Sequence, residues 1–577
     1  MKKVVSLLLV LATLCVLSLS LVSCGEPKDD GARIDIYLGG GVYDFDPTDY
    51  YVDSNAEQVM SLLYEPLFRY KDGKIECAMA EEYAVDEEER TIVVTLRESY
   101  WSNNTRVKAA DFVYAWSERL LDPSNPNPAA ALLYDIENAL ELKSGTATPA
   151  DLKVEATDVY ELTITYRDGA NPEQILKNLA SVATAPIRQP ADASTLGYWS
   201  KSLATILTNG PFRFSSYDAL GSGFTLVRNK GYHQAFDEKD YDNEVRPGEL
   251  VALTTPIGEK VELSYKDVEK KVCFYMSDAP LSERAEIKDD VILNDHTSVY
   301  TYVFNTNNPL FANANVRLAL SLAIDRSAII SAITYGKAAD GFVPDVSGGS
   351  LKTLVAPVSR MDEAKALIAS ANIAGLDKSF TLTIADDERS AAVAKVVTDA
   401  WTELGFTVTV EKLTTVMTTV GEGAAAVTFY DSGIQQAVKL ASYGRDEFDV
   451  IAVDWQTYTD DAFVALASLT SNMNGGGKEL PAGDSRSSIT GWKDATYDAL
   501  VSAAYAAEGN DRAKYLEEAE AYLCREMPVI PLVFNQNASY VSKDLKKLEF
   551  DGFGHVIFNE AKQKNYKDYL ERESEED

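Results

Sequence analysis

The sequence predicts an α/β protein in which mixed sheets are flanked by helices in more than one lobe. Apolar residues alternate with polar or β-branched partners at Ile92, Val94 and Leu96, which is typical of a half-buried strand. Apolar residues three and four positions apart line one face of residues 109–120 and indicate an amphipathic helix. A strand, a helix and a second strand follow one another in residues 380–410, so part of the fold is a βαβ unit.

Similar patterns recur in the first half of the chain. Leu162, Ile164 and Tyr166 predict a second half-buried strand. The glycines at 39–41 lack the GxGxxG spacing of a phosphate loop and predict a turn. Trp101 is predicted to be a core residue. The apolar face of the helix over residues 109–120, also predicted to be core, consists of Ala109, Phe112, Val113, Trp116 and Leu120.

A further helix is predicted in the middle of the chain, where Val316, Leu320, Ala323 and Ile324 share one face. Asn313 is its expected N-cap, because the side-chain oxygen can accept a hydrogen bond from a backbone N–H that the helix leaves unpaired.

The βαβ unit is predicted as a strand over residues 380–384, a helix over 391–404 that stops at Gly405, and a strand over 406–410. The uninterrupted apolar run 450–453 is typical of a parallel strand that is buried on both faces. Residues 569–577 end in an almost wholly charged run, which predicts a disordered acidic tail.

The N-terminus has the pattern of a secretory signal. Lys2 and Lys3 precede an uncharged apolar run over residues 4–22, and the small Ser23 follows. Residues 1–23 are therefore predicted to be a signal peptide. An uncleaved membrane span is the alternative, because the run is close to the roughly 20 apolar residues that cross a bilayer.

The residues Leu21-Val22-Ser23-Cys24 resemble the bacterial lipobox. That resemblance implies that the Cys24 thiol carries a lipid and that Cys24 becomes the new N-terminus. Residues 24–32 then form a lipidated tether, and the protein is extracytoplasmic and anchored to the outer face of the cell membrane. If there are two membranes, this is the periplasmic side.

Composition excludes nucleic acid as a partner. Lys and Arg total 54 against 89 Asp and Glu, so the formal charge is −35. Loss of Lys2 and Lys3 with the signal makes it −37. Phosphate backbones attract clustered cations, and this acidic surface repels them.

Cysteine and histidine give little material for a metal or hydrolytic centre. After Cys15 and Cys24, the remaining cysteines are far apart: Cys77, Cys273 and Cys524. They are interpreted as buried apolar residues, with one long-range disulfide as the alternative. The histidines have no second His or Cys at ligand spacing, so neither a metal site nor a cofactor is predicted: His233, His296 and His555.

Several segments, in order along the chain, resemble the extracellular solute-binding protein family 5, the peptide-binding components of ABC importers. The resemblance covers nearly the whole chain after the signal. The segments are Phe45-Asp46-Pro47-Thr48, Leu63-Tyr64-Glu65-Pro66-Leu67, Leu96-Arg97, Trp101-Ser102, residues 110–116, Asn209-Gly210-Pro211-Phe212, Arg228-Asn229, Tyr302-Val303-Phe304-Asn305, Asn313, residues 316–320, Ala323-Ile324-Asp325-Arg326 and residues 528–532. Within them, Arg317, Asp325 and Arg326 are interpreted as structural residues that fix helix ends and contacts between lobes.

The resemblance implies a periplasmic-binding-protein-like fold of two lobes with an extra inserted domain. Domain I is expected over residues 33–69, 188–302 and 543–568. Domain II is the insert over residues 70–187, and domain III spans residues 303–542. The chain crosses between lobes near Phe304 and near Ser542, and these crossings are the expected hinge.

The resemblance also places the ligand between the lobes. One wall is implied to be Val42, Tyr43 and Asp44. The other wall is the segment after the buried strand, where many relatives have an Asp before a Tyr that pairs with the ligand ammonium. In this chain that Asp is absent, and the segment is one residue shorter. It reads Asp454, Trp455, Gln456, Thr457, Tyr458, Thr459, Asp460 and Asp461.

A buried ammonium needs a carboxylate, because an unpaired buried ion costs about 3–5 kcal/mol. Asp454, Asp460 or Asp461 can supply it from a shifted position, or the ligand has no free amine. Solvated loop carboxylates are the alternative for all three. Tyr443 and Arg445 precede the same strand, and Arg445 offers a bidentate partner for a ligand carboxylate.

The leading hypothesis is a monomeric, non-enzymatic binding protein that captures oligopeptides and delivers them to ABC transporter permease subunits. The alternative is that a protein of the same fold binds a non-peptide solute: an oligosaccharide, an opine-like molecule or a metallophore. A ligand-sensing surface receptor is the third hypothesis. No catalytic residue is predicted, because no coupled nucleophile and base is visible.

Overall fold

The computed structural model describes residues 32–39, 42, 44–49, 54–189, 199–218, 223–234, 244–254, 264–269, 271–276, 279–344, 353–420, 427–443, 448–476 and 489–564. Over these ranges the chain is α/β with mixed sheets and flanking helices, which confirms the predicted class. The predicted signal segment, Cys24, Gly40, Gly41 and the predicted tail lie outside the described residues. No helix among the described residues is long and apolar enough to cross a membrane.

The strands of the described residues, in chain order, are β1 (Arg33–Tyr37), β2 (Phe68–Lys71), β3 (Lys74–Cys77), β4 (Ala80–Asp86), β5 (Thr91–Leu96), β6 (Val154–Asp158), β7 (Glu161–Thr165), β8 (Phe212–Asp218), β9 (Gly223–Arg228), β10 (Glu249–Leu253), β11 (Phe274–Met276), β12 (Val291–Phe304), β13 (Lys337–Ala338), β14 (Ser379–Ala385), β15 (Thr407–Leu413), β16 (Val416–Val420), β17 (Val427–Asp431), β18 (Val450–Gln456), β19 (Val529–Val541), β20 (Leu545–Lys546), β21 (Glu549–Phe550), β22 (Val556–Ile557) and β23 (Lys562–Gln563).

The α-helices of the described residues are α1 (Ser54–Leu63), α2 (Ala109–Tyr114), α3 (Ala139–Lys143), α4 (Pro172–Asn178), α5 (Tyr265–Val268), α6 (Leu281–Ile287), α7 (Ala314–Leu322), α8 (Arg326–Ile333), α9 (Met361–Ser370), α10 (Glu388–Glu403), α11 (Gly433–Ser442), α12 (Ala462–Ala467), α13 (Ala495–Ala506) and α14 (Gly509–Glu526). A π-helical turn continues α2 over Ala115–Leu120, and a 3₁₀ segment spans Pro128–Leu133.

One large sheet organises the molecule, with strand order β15-β14-β18-β12-β19-β11-β1-β10-β9-β8. We call β8, β9, β10, β1 and β11 the N-terminal half-sheet, and β18, β14 and β15 the C-terminal half-sheet. Strand β1 is parallel to β10 and β11, and β14 is parallel to β15 and β18, whereas β12 and β19 are antiparallel to each other and to the half-sheets they join. The sheet is therefore mixed, as predicted.

The two half-sheets are joined by the two longest strands, β12 and β19. Their pairing runs from Val291 opposite Tyr540 to Val303 opposite Val529. Its register shifts between Asp295 and Val299, where β12 bulges. The first part of this ribbon pairs with β11, and the second part pairs with β18. The bulge therefore lies at the junction of the two half-sheets.

A separate four-stranded sheet, with order β4-β5-β7-β6, lies between residues 80 and 165. Strand β5 alternates half-buried and buried residues, as predicted from Ile92, Val94 and Leu96. Strand β7 does the same at Leu162 and Ile164. We call this unit the small sheet, and α2, α4 and the 3₁₀ segment 128–133 accompany it in the chain.

The predicted helices form, with shifted bounds. Asn313 caps α7, since its side-chain oxygen accepts a hydrogen bond from the Asn315 amide at 2.9 Å. Helix α10 begins at Glu388, before the predicted start, because Asp387 accepts a hydrogen bond from the Ser390 amide at 2.7 Å. The βαβ unit is confirmed by the parallel pairing of β14 with β15. Strand β18 extends the predicted run 450–453 and is parallel to β14 but antiparallel to β12.

The two predicted core tryptophans are buried, and the described cysteines are free. Trp101 and Trp116 are fully buried, and each indole N–H donates a hydrogen bond, to Asp111 and to the Thr184 carbonyl respectively. The described cysteines form no disulfide; Cys273 and Cys524 are buried, and Cys77 is half-buried. The Cys273 thiol is more polar in its contacts than predicted, since it lies 3.1 Å from the Gln563 side-chain oxygen.

Two of the sequence segments quoted above meet at one backbone contact. The Asn209 side chain accepts a hydrogen bond from the Glu65 amide at 3.1 Å and donates one to the Glu65 carbonyl at 2.9 Å. The Gly210 amide donates to the Leu63 carbonyl at 2.8 Å. A Cβ at position 210 would lie 2.6 Å from the Leu63 carbonyl carbon, so only glycine permits this approach.

Arg317, Asp325 and Arg326 have the predicted structural roles within the C-terminal part of the fold. Arg317 donates hydrogen bonds to the carbonyls of Phe311 and Glu526, and Asp325 caps α8. Arg326 is fully buried. Its guanidinium donates to the Pro531 carbonyl at 2.8 Å, the Ala356 carbonyl at 3.1 Å and the Ser321 hydroxyl at 2.9 Å. It therefore joins α7, α8 and β19.

We predict that Arg326→Leu lowers the free energy of unfolding by about 2–4 kcal/mol, because buried carbonyls of three segments lose their donor. Urea unfolding followed by circular dichroism measures the change. Arg525→Leu is the matched control, since the Arg525 side chain is 62% exposed and the loss there should stay within about 0.5 kcal/mol. Equal losses in the two variants would contradict the structural role of Arg326.

Candidate ligand-binding site

The segment after β18 lies against the small-sheet region. The Lys177 ammonium at the end of α4 is 2.9 Å from a carboxylate oxygen of Asp460. The Thr459 hydroxyl donates to the Asn178 side-chain oxygen at 3.2 Å. Farther along the same interface, the Tyr505 hydroxyl donates to the Tyr134 carbonyl at 2.8 Å. The segment after β18 and helix α13 therefore contact the small-sheet region across this interface.

The same segment makes a tight turn at Tyr458. The Thr459 amide donates to the Thr457 carbonyl at 2.7 Å, which closes a γ-turn around Tyr458. The φ of Tyr458 is 61°, a left-handed conformation that costs of order 1–3 kcal/mol for a residue with a side chain. Thr457 is held to the Thr297 carbonyl by both its amide and its hydroxyl. This turn fixes the direction in which Asp460 and Asp461 leave the sheet.

Both carboxylate oxygens of Asp461 are occupied within the C-terminal part of the fold. One accepts the Phe463 amide at 3.0 Å, so Asp461 caps α12. The other accepts the Arg512 guanidinium at 2.7 Å. Burial lowers the pKa of Arg512, but the neighbouring Asp461 outweighs it and the pKa is raised. Asp461 therefore has little capacity left for a ligand.

Asp460 is different, because only one of its carboxylate oxygens is engaged. Oδ2 accepts the Lys177 ammonium, whereas Oδ1 is buried and has no hydrogen-bond partner among the described residues. Burial lowers the pKa of Lys177, but the hydrogen bond to Asp460, the charge of Asp460 and the neighbouring Tyr70 and Glu173 together raise it above its ordinary value. An acceptor of this kind, buried and unsatisfied, is costly unless a donor reaches it.

Asp454, Trp455 and Gln456 alternate between the faces of β18. Asp454 is partly exposed; it accepts the Asn535 side-chain N–H at 2.7 Å and lies 3.5 Å from the Arg389 guanidinium. Trp455 points the other way into the core, where its indole N–H donates to Ser468 at 3.0 Å. Gln456 is buried beside Asp454.

A second set of charges links the start of the chain to α11. Asp44 accepts the Ser200 hydroxyl at 2.6 Å and lies 3.4 Å from the Lys201 ammonium. Lys201 also forms an ion pair with Asp431 at the end of β17. Lys439 on α11 forms an ion pair with Asp49. Because α11 packs on β14 and β18, these pairs join the N-terminal and C-terminal half-sheets.

These lysines control the ionisation of Asp44. Burial raises the pKa of Asp44, but the positive charges of Lys201 and Lys439 outweigh it and the pKa is lowered. Burial lowers the pKa of Lys439, but Asp49 and Asp44 outweigh it and the pKa is raised. Burial raises the pKa of Asp49 despite the opposing charge of Lys439.

The remaining predicted site residues are placed as follows. Val42 is buried, and its carbonyl accepts the Tyr217 hydroxyl at 2.7 Å. Tyr443 follows α11 and is half-buried. Tyr43 and Arg445 lie outside the described residues. Asp44 and the α11 region thus belong to one set of ion pairs, whereas Thr459 and Asp460 contact the end of α4.

Residues 74–477 match the family described as "Bacterial extracellular solute-binding proteins, family 5 Middle". The chain belongs to this family. Among its relatives, the dipeptide-binding protein DppE of Bacillus subtilis is 25% identical over 529 residues, which cover 86% of each chain.

Solved structures of peptide-binding proteins have the same fold. Listeria monocytogenes OppA bound to peptide is 18% identical, with a TM-score of 0.75 over 93% of this chain and 99% of that one. Escherichia coli MppA, a murein tripeptide binding protein, gives 0.74 at 22% identity over 92% of this chain and 98% of that one. The unliganded open form of MppA gives only 0.53 at 23% identity over 89% and 94%.

Sequence reasoning missed most of the partners of this solute-binding protein's site. Lys177, Lys201 and Lys439 are isolated in the sequence and follow no motif. No sequence pattern indicated Arg389 or Asn535 either. Each becomes visible only when the half-sheets and the small sheet come together, because its acidic partner lies in another part of the chain.

We predict that Lys439→Met weakens the contact between the two half-sheets. Asp49 and Asp44 then lose a cation, and the unliganded protein should populate a more open form with a larger radius of gyration. Small-angle scattering measures it. Because the pKa of Asp44 is lowered by these lysines, its contribution is present above about pH 4 and is lost as the pH falls through that lowered pKa.

The matched control is Lys395→Met, since Lys395 is 76% exposed and pairs with Asp399 on the same helix. That variant should leave the radius of gyration unchanged. An unchanged scattering curve for Lys439→Met at neutral pH would contradict the role of the α11 lysine.

Proposed function

We propose that this solute-binding protein is a lipid-anchored component of an ABC importer, which captures oligopeptides between its lobes and delivers them to a membrane permease. Family membership and relatives named for dipeptides and oligopeptides support the ligand class. The observation that carries the proposal is the set of charged contacts between distant segments, where Asp460 pairs with Lys177 of α4, Asp44 pairs with Lys201, and Asp49 pairs with Lys439 of α11.

We expect the peptide to be held mainly by its backbone. An extended peptide offers an N–H and a C=O at every residue, and binding through these groups tolerates different side chains. Water in the side-chain pockets supports the same tolerance. Val42, Asp44 and the region after α11 supply one set of contacts in this proposal, together with Tyr43 and Arg445. The segment from Asp454 to Asp460 supplies the other.

The α-ammonium of the peptide is assigned to Asp460. Asp461 is excluded because both of its oxygens are occupied by the cap of α12 and by Arg512. Asp454 shares its carboxylate with Asn535 and Arg389. Asp460 retains a buried oxygen, Oδ1, that has no hydrogen-bond partner in the described part of the chain. An ammonium at this position satisfies that oxygen, and Lys177 continues to hold the other.

We predict that tri- to hexapeptides bind to the wild-type protein in isothermal titration. Asp460→Asn should weaken binding of a free peptide by about tenfold to a hundredfold, that is, about 1.4–2.8 kcal/mol, because the ammonium loses its counter-charge. N-acetylation of the same peptide should cause a similar loss in the wild type and little further loss in the variant. Asp399→Asn is the exposed control.

The outcomes separate the proposal of peptide binding from the assignment of the peptide ammonium to Asp460. If free and N-acetylated peptides bind the wild type equally, the assignment of Asp460 is wrong, although peptide binding stands. If no peptide binds to the wild type, the peptide function is wrong. An oligosaccharide, opine-like or metallophore solute is then the ligand to test.

Membrane attachment through Cys24 is the second part of this proposal. The tether 24–32 has nine residues, so it reaches at most about 30 Å before β1 begins at Arg33. Such a length holds the lobes close to a membrane permease. Two acyl chains on Cys24 give a more durable attachment than one.

We predict that Cys24→Ser abolishes incorporation of labelled fatty acid and releases the protein from the membrane fraction. Cys77→Ser is the matched control, because Cys77 lies within the folded region on β3 and should leave attachment unchanged. A Cys24→Ser protein that stays membrane-bound would favour the uncleaved membrane span.

A further inference from the structure

Two histidines that are isolated in the sequence meet a glutamate inside the fold. Glu57 lies on α1, His296 lies in the bulge of β12, and His555 directly precedes β22. Their side chains are 1%, 0% and 4% exposed. The Nε2 atoms of His296 and His555 each lie 3.6 Å from a different carboxylate oxygen of Glu57. The expectation that these histidines stand alone is therefore wrong for the folded chain.

Three atoms at the centre of this cluster are unsatisfied. Glu57 Oε2, His296 Nε2 and His555 Nε2 are buried and have no hydrogen-bond partner among the described residues. Their ligand atoms all lie within 4.8 Å of one another. A separation of 3.6 Å is too long for a hydrogen bond, which places N and O atoms about 2.7–3.2 Å apart. Three buried polar atoms thus converge on one point without contacting each other.

The outer nitrogen of each imidazole is held by a second group. His296 Nδ1 lies 2.8 Å from the Ser298 hydroxyl, and His555 Nδ1 lies 3.0 Å from an Asp551 carboxylate oxygen. Asp551 is itself fixed by the backbone amides of Phe553 and His555. Both rings are therefore oriented with Nε2 pointing towards Glu57. Outer-shell contacts of this kind set the tautomer and the direction of metal-binding histidines.

We propose that Glu57, His296 and His555 form a buried binding site for a divalent transition-metal ion of the zinc class. Two imidazole nitrogens and one carboxylate oxygen are a ligand set that suits such ions better than it suits Mg²⁺ and Ca²⁺. At metal–ligand distances of about 2.0–2.2 Å, tetrahedral ligand atoms lie about 3.3–3.5 Å apart. The two Nε2–carboxylate separations of 3.6 Å, each to a different Glu57 oxygen, are close to that spacing.

Charge and space agree with this occupant. Glu57 and Asp551 contribute two negative charges, so a divalent ion between neutral imidazoles balances the cluster. An uncompensated buried carboxylate is costly. A cavity of about 40 Å³, lined by Ser61, Leu62, Asp551 and His555 among others, adjoins the cluster. It lies on the Asp551 and His555 side of the cluster and is large enough for one water.

The ion would join three segments that are distant in the sequence. Helix α1 precedes the small sheet, β12 bulges at the junction of the half-sheets, and His555 belongs to the C-terminal segment. The Ser298 hydroxyl also accepts the Asn535 side chain at 2.8 Å, and Asn535 donates to Asp454. The metal site is thus connected to the ribbon that links the half-sheets, although its ligands differ from the proposed peptide ligands.

The test uses the mature chain without a histidine tag, stripped with a chelator and titrated with Zn²⁺ and Co²⁺. We expect one ion per chain, retained through dialysis, a Co²⁺ absorption spectrum typical of nitrogen and oxygen ligands, and a rise in the melting temperature with Zn²⁺. Mg²⁺ and Ca²⁺ should produce neither binding nor stabilisation. Failure of Zn²⁺, Co²⁺ and Ni²⁺ to bind at one per chain overturns the proposal and leaves a carboxylate–imidazolium cluster.

The variants locate the ion. His296→Gln, His555→Gln and Glu57→Gln should each weaken Zn²⁺ binding by at least a hundredfold. Ser298→Ala, which removes only an outer-shell contact, should weaken it by about tenfold to a hundredfold. The chain has three histidines, so His233→Gln is the matched control and should keep full binding. His233 is also buried, and lies 3.6 Å from Glu244.

Circular dichroism distinguishes loss of the ligand from loss of the fold. A folded His296→Gln or His555→Gln protein that still binds one Co²⁺ with an unchanged spectrum contradicts the proposal. So does loss of the ion in His233→Gln. If the three ligand variants do not fold, the Ser298→Ala affinity and the wild-type Co²⁺ spectrum decide the outcome.

Discussion

The antiparallel pairing of β12 with β19 is the constraint on which the rest of the structure depends. These strands are the only described elements that pair with both half-sheets, through β11 on one side and β18 on the other. The half-sheets are therefore joined by a hydrogen-bonded ribbon rather than by a loose linker. The bulge between Asp295 and Val299 interrupts the ladder at the junction.

Electrostatics then decide whether the interface between the two sides is favourable. The chain carries a net charge of −35, so bringing its parts together is opposed by repulsion between carboxylates. The structure meets this with few cations, each placed against an acid from another segment: Lys177 with Asp460, Lys201 with Asp431, and Lys439 with Asp49. Because these pairs are only partly exposed, salt screens them less than it screens the outer surface.

Local structure was predictable from the sequence because its causes are local. Alternation of apolar residues determined β5 and β7, and the Asn313 side chain was sufficient to locate the start of α7. The predicted start of a helix was wrong where its N-cap was overlooked, as at Asp387 before α10. A helical face predicted over residues 109–120 changes to a π-helical turn after Tyr114, which an apolar pattern does not distinguish.

Long-range arrangements were not predictable in the same way. Metal-ligand spacing in a sequence detects ligands on one helix or turn, whereas Glu57, His296 and His555 meet only through the fold. The opposite error occurred at Trp455, which was predicted to bind the ligand because it lies beside candidate ligand residues in the sequence. Its side chain points into the core instead, because neighbouring residues on a strand face opposite sides of the sheet. The predicted boundaries of domains I, II and III remain predictions.

The position of β1 has a mechanical consequence. This strand is not at the edge of the sheet but between β10 and β11, parallel to both. A pull on the chain at residue 32 therefore loads hydrogen bonds on two sides at once, in shear, instead of peeling away an outer strand one bond at a time. Drag on the body of the protein is borne by the interior of the sheet, where it is most difficult to tear.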